Sequence, residues 1–169
     1  DASFTQFIFP QGITTIPQSA FASCYFKTMV IPDSVTKIDY NAFINADFNK
    51  VILGSGVLSI GAEAFKSSHG EIDLSRATKL ESIGYRAFAN TEITSIILPG
   101  SVKSIGSEIF FGCEKLTVLG IPFISTSPNS NSYSTNCFGA IFNSRAESFT
   151  QEKYIPKSLK TVIITADSV

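Results

Sequence analysis

The chain has no tryptophan, one methionine, one histidine and three cysteines in 169 residues. Each scarcity removes a class of function. With His69 as the single histidine, a histidine-based metal site or catalytic triad would have to be built on that residue. His69 stands in Ser67-Ser68-His69-Gly70, which reads as an exposed turn before a strand. Charged residues make up only 16% of the chain, and 13 basic against 14 acidic side chains leave a net charge of −1. Without a basic run there is nothing to neutralise a phosphate backbone, so nucleic acid is not an expected partner. No segment approaches the roughly 18 apolar residues of a membrane span. Asp1-Ala2-Ser3-Phe4 does not read as a signal peptide. Phosphate loops, nucleophile elbows and dinucleotide fingerprints are absent too. Nor is there an Asn-x-Ser/Thr glycosylation acceptor, which extracellular eukaryotic proteins of this size often carry, so a bacterial source is favoured.

Phenylalanine, by contrast, is abundant, at 15 residues, and hydrophobic residues reach 44%. Disorder is therefore excluded, and one aromatic type is being reused in one role. Phe21, Phe43, Phe65, Phe88 and Phe110 follow one another at 22, 22, 23 and 22 residues, and Ile16, Ile38, Ile60, Ile83 and Ile105 repeat the series. Five blocks align on these columns. Each begins with a short apolar run closed by Pro, Gly or Ser, as in Met29-Val30-Ile31-Pro32. An Ile-x-x-Ile, Val-x-x-Ile or Leu-x-x-Ile segment follows, and then an Ala-Phe or Ile-Phe pair. The apolar run reads as a strand with alternating faces, ended where proline has no N–H to donate. One coil cannot bury these side chains alone. Stacked coils, about 4.7–4.9 Å apart, place like over like and turn the Phe column into a ladder. Each buried ring contributes roughly 1.5–3 kcal/mol.

The pattern strand, Ile-Pro-x-Ser-Val-x-x-Ile, Ala-Phe-x-x-Cys resembles the BspA-like (Treponema-type) leucine-rich repeats. It is carried by Ile31-Pro32-Asp33-Ser34-Val35-Thr36-Lys37-Ile38 and Ala20-Phe21-Ala22-Ser23-Cys24. Ile121-Pro122-Phe123, the stretch Phe138 to Phe142 and Tyr154 to Val162 resemble the irregular last repeat of bacterial surface members. The resemblance implies a secreted or cell-surface protein linked to adhesion, with no shared catalytic motif. The expected fold is a right-handed leucine-rich-repeat solenoid, seven strands deep. Its parallel sheet lies on the concave side, with loops, short extended pieces and single turns opposite, and little helix. The whole of 1–169 is expected to be one domain and a fragment of a longer protein. Regular repeats run over about 4–122, an irregular insertion over 123–156 and a final strand over 159–165, with Leu159, Val162 and Ile164 inward. The polar run after Phe123 marks a long loop, and Cys137 to Phe142 is expected to fold back and shield the last coil.

Candidate chemistry is sparse. Cys24 and Cys113 fall three residues after ladder phenylalanines, where other blocks have Ala46, Ser68 and Thr91. All are small, so the position reads as a size-restricted interior slot holding free thiols; four repeat steps put the two cysteines about 19 Å apart, beyond disulfide reach. Cys137 has no evident partner. Glu71 and Asp73 alternate on one strand and share a side, but a calcium site or an acid–base pair would need further groups, and none is assigned. No catalytic residue, metal or cofactor is expected. The outward strand positions carry more information. Ile8, Val30, Ile52, Asp73 and Ile97 form one exposed column, and Gln6, Thr28, Lys50, Glu71 and Ser95 the next. An apolar stripe beside a polar one is a plausible recognition surface, although branched residues also simply suit strands. The binding residues inferred are Thr28, Val30, Lys50, Ile52, Glu71, Asp73, Ser95 and Ile97, facing a protein or glycan. The alternatives are a spacer displaying another domain and an enzyme with a site near the 122–156 insertion. End-to-end self-association through exposed strand edges is a further expectation.

Overall fold

The computed structural model describes residues 7–122, 138–142 and 155–165. The chain winds as a parallel β-solenoid, each coil contributing one short strand to a turn side and one longer strand to a strand side. On the turn side lie β1 (Thr15–Ile16), β3 (Lys37–Ile38), β5 (Ser59–Ile60), β7 (Ser82–Ile83) and β9 (Ser104–Ile105). They form one continuous five-stranded parallel sheet in that order. The strand side holds β2 (Tyr25–Val30), β4 (Asp47–Ile52), β6 (His69–Asp73), β8 (Ser95–Ile97), β10 (Val118–Ile121) and β11 (Thr161–Ile164). The one helical element among the described residues is a 3-10 turn at Phe138–Ile141.

The predicted Ile and Phe columns are in place. Ile16, Ile38, Ile60, Ile83 and Ile105 are all buried, and each pairs with the next in register along the turn-side sheet. The phenylalanine rings form the ladder: centroids are 5.1 Å apart from Phe21 to Phe43, 4.9 Å from Phe43 to Phe65, 5.8 Å from Phe65 to Phe88 and 5.7 Å from Phe88 to Phe110, all stacked. A sixth rung was not read from the sequence. Phe142 lies 6.2 Å from Phe110, and the N–H groups of Glu108 and Phe110 donate to the carbonyls of Ala140 and Ile141. The Phe138–Phe142 piece therefore covers the end of the fifth coil by imitating the turn of a sixth. Cys113, Thr91, Ser68 and Ala46 are buried in one slot, as their sizes require. Cys24 is a free thiol but only half-buried, because it belongs to the first described coil and has a neighbour on one side only. Cys137, Gln6 and most of the 123–156 insertion lie outside the described residues.

The turns between ladder and strand are held in a costly backbone conformation. Ser19, Asn41, Glu63, Arg86 and Glu108 all sit at φ between 51° and 58°. A left-handed residue costs roughly 1–2 kcal/mol unless it is Gly, with Asn the best tolerated of the rest. Hydrogen bonds from each turn to the next, such as Phe43 N–H to Ala64 O at 2.7 Å, impose it coil after coil.

The strand side departs from expectation. In place of one sheet seven strands deep there are two three-stranded sheets, β2-β4-β6 and β8-β10-β11. Phe7 to Phe9 do not form a strand; their rings pack edge-on against Phe21, at 5.0 Å for Phe7. β11 keeps the expected register, with Val162 opposite Leu119 and Ile164 opposite Ile121. Its side chains are nevertheless exposed, Ile164 by 52%, so the inward position there is not a buried one.

The break between β6 and β8 has a cause in chain length. Ile-to-Phe spacing on the turn side is five residues in every block. On the strand side Phe65 to Ile72 is seven residues, where Phe43 to Val51 and Phe88 to Ile96 are eight; Ile72 to Ile83 is eleven, where Val51 to Ile60 and Ile96 to Ile105 are nine. One residue is missing before β6 and two are added after it. The missing residue shows as a register shift between Asp47 and Lys50 in the β4–β6 ladder. There Gly70, at φ 130°, sits in the row of Phe26 and Phe48, so close that a Cβ would overlap the Phe48 carbonyl oxygen. Phe26 and Phe48 stack at 5.3 Å, and that second ring column ends at Gly70. The strand is drawn down onto β4, away from β8.

Candidate binding surface

The outer face of β2-β4-β6 assembles six of the predicted residues. Thr28 pairs with Lys50 and Val30 with Ile52; Lys50 in turn pairs with Glu71 and Ile52 with Asp73. Alternation brings Glu71 and Asp73 to the same side, as read from the sequence. Both are used: Lys50 Nζ lies 2.8 Å from Glu71 Oε1 and 2.9 Å from Asp73 Oδ2. The two carboxylates hold the Lys50 ammonium above its ordinary pKa, Glu71 first. Asp73 is lowered to about 2 by the Ser75 hydroxyl first, then Lys50, then the Ser75 N–H. Asp73, held ionised in this way, cannot supply the protonated acid of an acid–base couple at neutral pH.

Ser95 and Ile97 do not join this cluster. They belong to the other sheet, across the break from Asp73. The apolar column is real but interrupted: Ile8 is 80% exposed, Val30 48%, Ile97 43% and Ile163 43%. Gly120, opposite Ile97 in β10, adds no side chain, and a Cβ there would stand 2.8 Å from the Ile97 Cδ1. The glycine lets the Ile97 side chain lie over the strand. Sequence reading did not extend the column to Gly120 and Ile163, although the register read for Val162 and Ile164 already turns Ile163 outward.

A cleft of about 880 Å³ opens at the break, within the usual range of ligand pockets. Its floor is core: Ile72, Leu74, Ile93 and Ile96 keep 3–5% exposure, where Val51 and Leu53 one coil away keep none. Its rim carries Glu71, Asp73 and Glu92, the last paired with Lys115 at 2.9 Å. Neither the cleft nor Glu92 was foreseen. The signal was the shortened and lengthened spacing around Ile72, which the overall 23-residue period conceals.

His69 is exposed and opens β6, rather than standing in the preceding turn. Cys113 Sγ donates to Phe88 O at 3.1 Å and lies 3.3 Å from Thr91 Oγ1. Burial pushes its thiol up, away from the thiolate a nucleophile requires. Among the described residues no helix is long and apolar enough to cross a membrane.

Residues 1–117 match the BspA type leucine rich repeat region, in six copies. The chain belongs to the BspA-type leucine-rich repeat family. Its solenoid with almost no helix is the fold expected of that repeat. Two solved structures are similar to it. The pneumococcal vaccine antigen PcpA is 24% identical, over 63% of this chain and 35% of that one, with a TM-score of 0.49. A leucine rich cell surface protein from Faecalibacterium prausnitzii is 21% identical, over 69% of this chain and 46% of that one, with a TM-score of 0.32. The chain thus spans less than half of either neighbour. No curated protein matches it.

Proposed function

We propose that this BspA-type repeat chain is a non-enzymatic recognition module of a bacterial cell-surface or secreted protein. It binds a protein or glycan through the outer face of its strand side. Membership of the repeat family supports the surface setting, since the resemblance implies secreted and surface-attached proteins. One observation carries the reading: Val30 and Ile97 stand about half exposed in one outer column on either side of the break, with the ion pairs of Lys50 on the Val30 side. Aligned exposed aliphatic groups retain apolar surface that a partner can cover, at roughly 25 cal/mol per Å² buried.

The test is capture from an extracellular protein extract and binding to a glycan array, beside a Val30→Glu, Ile97→Glu double variant. Both positions are exposed, so the variant keeps its fold. A ligand retained by the parent and lost by the variant supports recognition through this face. Equal capture by both moves the site elsewhere. No ligand for either, with both folded, leaves the chain as a spacer that displays other domains.

A further inference from the structure

The break between β6 and β8 leaves two strand edges facing a cleft. Along β8, Leu98 N–H donates to Gly120 O at 2.9 Å, and Thr94 O accepts from Thr117 and Val118, at 2.8 and 3.2 Å. Backbone groups alternate sides along a strand. The even residues thus face β10, and the N–H and C=O groups of Ser95 and Ile97 face the cleft. On β6, Leu53 N–H donates to Asp73 O, which turns the Ile72 groups the other way, toward the same cleft. No backbone hydrogen bond joins β6 to β8 among the described residues. Everywhere else in the stack, neighbouring strands pair.

We propose that this cleft takes an extended peptide as an added strand, bound to the Ser95 and Ile97 edge of β8. The peptide is apolar at alternate positions and basic at the rim. The edge supplies the main-chain donors and acceptors that strand addition uses. Alternation sends every second side chain of such a peptide to the floor, where Ile72, Leu74, Ile93 and Ile96 are the partly open core residues. The rim sets the charge: among the described residues Glu71, Asp73 and Glu92 face two ammonium groups, Lys50 and Lys115, with His69, counted neutral at pH 7, beside Glu92. One carboxylate is in excess, so a lysine or arginine is favoured over an acid. This inference rests on the recognition reading and gives it a partner class, but it uses backbone edges, whereas the apolar column offers side chains.

The probe is a fluorescein-labelled peptide with the sequence of Asp47–Leu53, whose Val51 and Leu53 alternate inward; it contains one lysine and already pairs in parallel with β6 within the fold. It is titrated with the whole 169-residue chain and followed by anisotropy. Saturable binding is expected. Ser95→Pro removes a cleft-facing N–H and leaves the pairing with β10 intact, so affinity should fall about tenfold, as for one lost hydrogen bond. Ser95→Ala keeps the N–H and should bind like the parent. Should the proline disturb folding, as read by far-ultraviolet circular dichroism, a peptide N-methylated at alternate residues makes the same test on the unaltered protein. One of its two methylation phases should lose binding. Leu58→Glu is exposed on the turn side, away from both the cleft and the apolar column, and should leave peptide affinity unchanged; capture by the Val30→Glu, Ile97→Glu variant tests the apolar column separately. No saturation by about 1 mM overturns the proposal. Equal affinity for both methylated peptides and the parent peptide overturns it as well, as does loss on Leu58→Glu. A response to Glu71→Gln with no response to N-methylation would mean charge attraction alone, and would equally overturn it.

Discussion

The two sides of this solenoid are made by the same coils yet differ in continuity. The turn side is one five-stranded sheet, while the strand side is two sheets of three. The turn side tolerates no change in length: Ile and Phe are five residues apart in every block. The strand side absorbs one deletion and two insertions around Ile72, and it opens there. A parallel ladder is lost when a strand is pulled off its level, whereas a stacked ring column bends. The ladder registers the strain only as a step from 4.9 to 5.8 Å between Phe43–Phe65 and Phe65–Phe88. Rigidity lies in the ladder, and variation is placed opposite it.

The sharpest way to break this contrast is at the ladder. Phe65 is fully buried between two stacked rings. Phe65→Ala should lower unfolding free energy by about 3–5 kcal/mol in urea titration. Phe21→Ala, at the half-buried end of the ladder, should cost visibly less. The strand side can be read directly by hydrogen exchange. The Ile97 amide faces the cleft, and its column neighbour Ile52 lies within the β2–β4 ladder. The Ile97 amide should exchange on the order of 100-fold faster. Equal protection would mean that the two sheets pair in solution.

Gly70 tests the cause of the break. Gly70→Ala must meet the Phe48 carbonyl at a φ of 130°, and should cost about 1–3 kcal/mol. An unchanged midpoint would show that β6 is not held down on β4. Ser68 sits between the two sides, buried, with no partner for its hydroxyl among the described residues. Ser68→Ala should raise stability by about 1 kcal/mol in the same titration.

The smallest effect belongs to the ion cluster. Asp73 has a folded pKa of about 2, below its ordinary value of 3.8. A depressed carboxylate stabilises the fold above its unfolded pKa, and that contribution disappears as pH falls through the folded value. Stability should therefore decline between about pH 4 and pH 2, by less than about 1 kcal/mol from this partly exposed group. Asp73→Asn should flatten that decline.

The family, the coil number on the turn side and the inward residues were legible in the sequence because burial is periodic. A column of Phe or Ile cannot be shifted without uncovering it, so the chain must write it in register. The small slot of Ala46, Ser68, Thr91 and Cys113 was legible for the same reason, since its volume is set by the rings beside it. The outward columns were legible only in part. Alternation placed Val30, Lys50, Ile52, Glu71 and Asp73 on one face, but could not show that Ser95 and Ile97 stand across a gap. The Lys50 bridge to both carboxylates was also out of reach, because it depends on side chains one coil apart meeting at 2.8 and 2.9 Å.

What the sequence determined by itself is the repeat and the core it must bury, since hydrophobic burial depends on which residues recur and at what interval. Tertiary structure alone decided where the sheet breaks, which edges stay open and that Phe142 completes the ladder. Those outcomes depend on how an unequal length of chain is taken up between two fixed columns, and hydrogen bonding between coils settles that only once the coils are stacked.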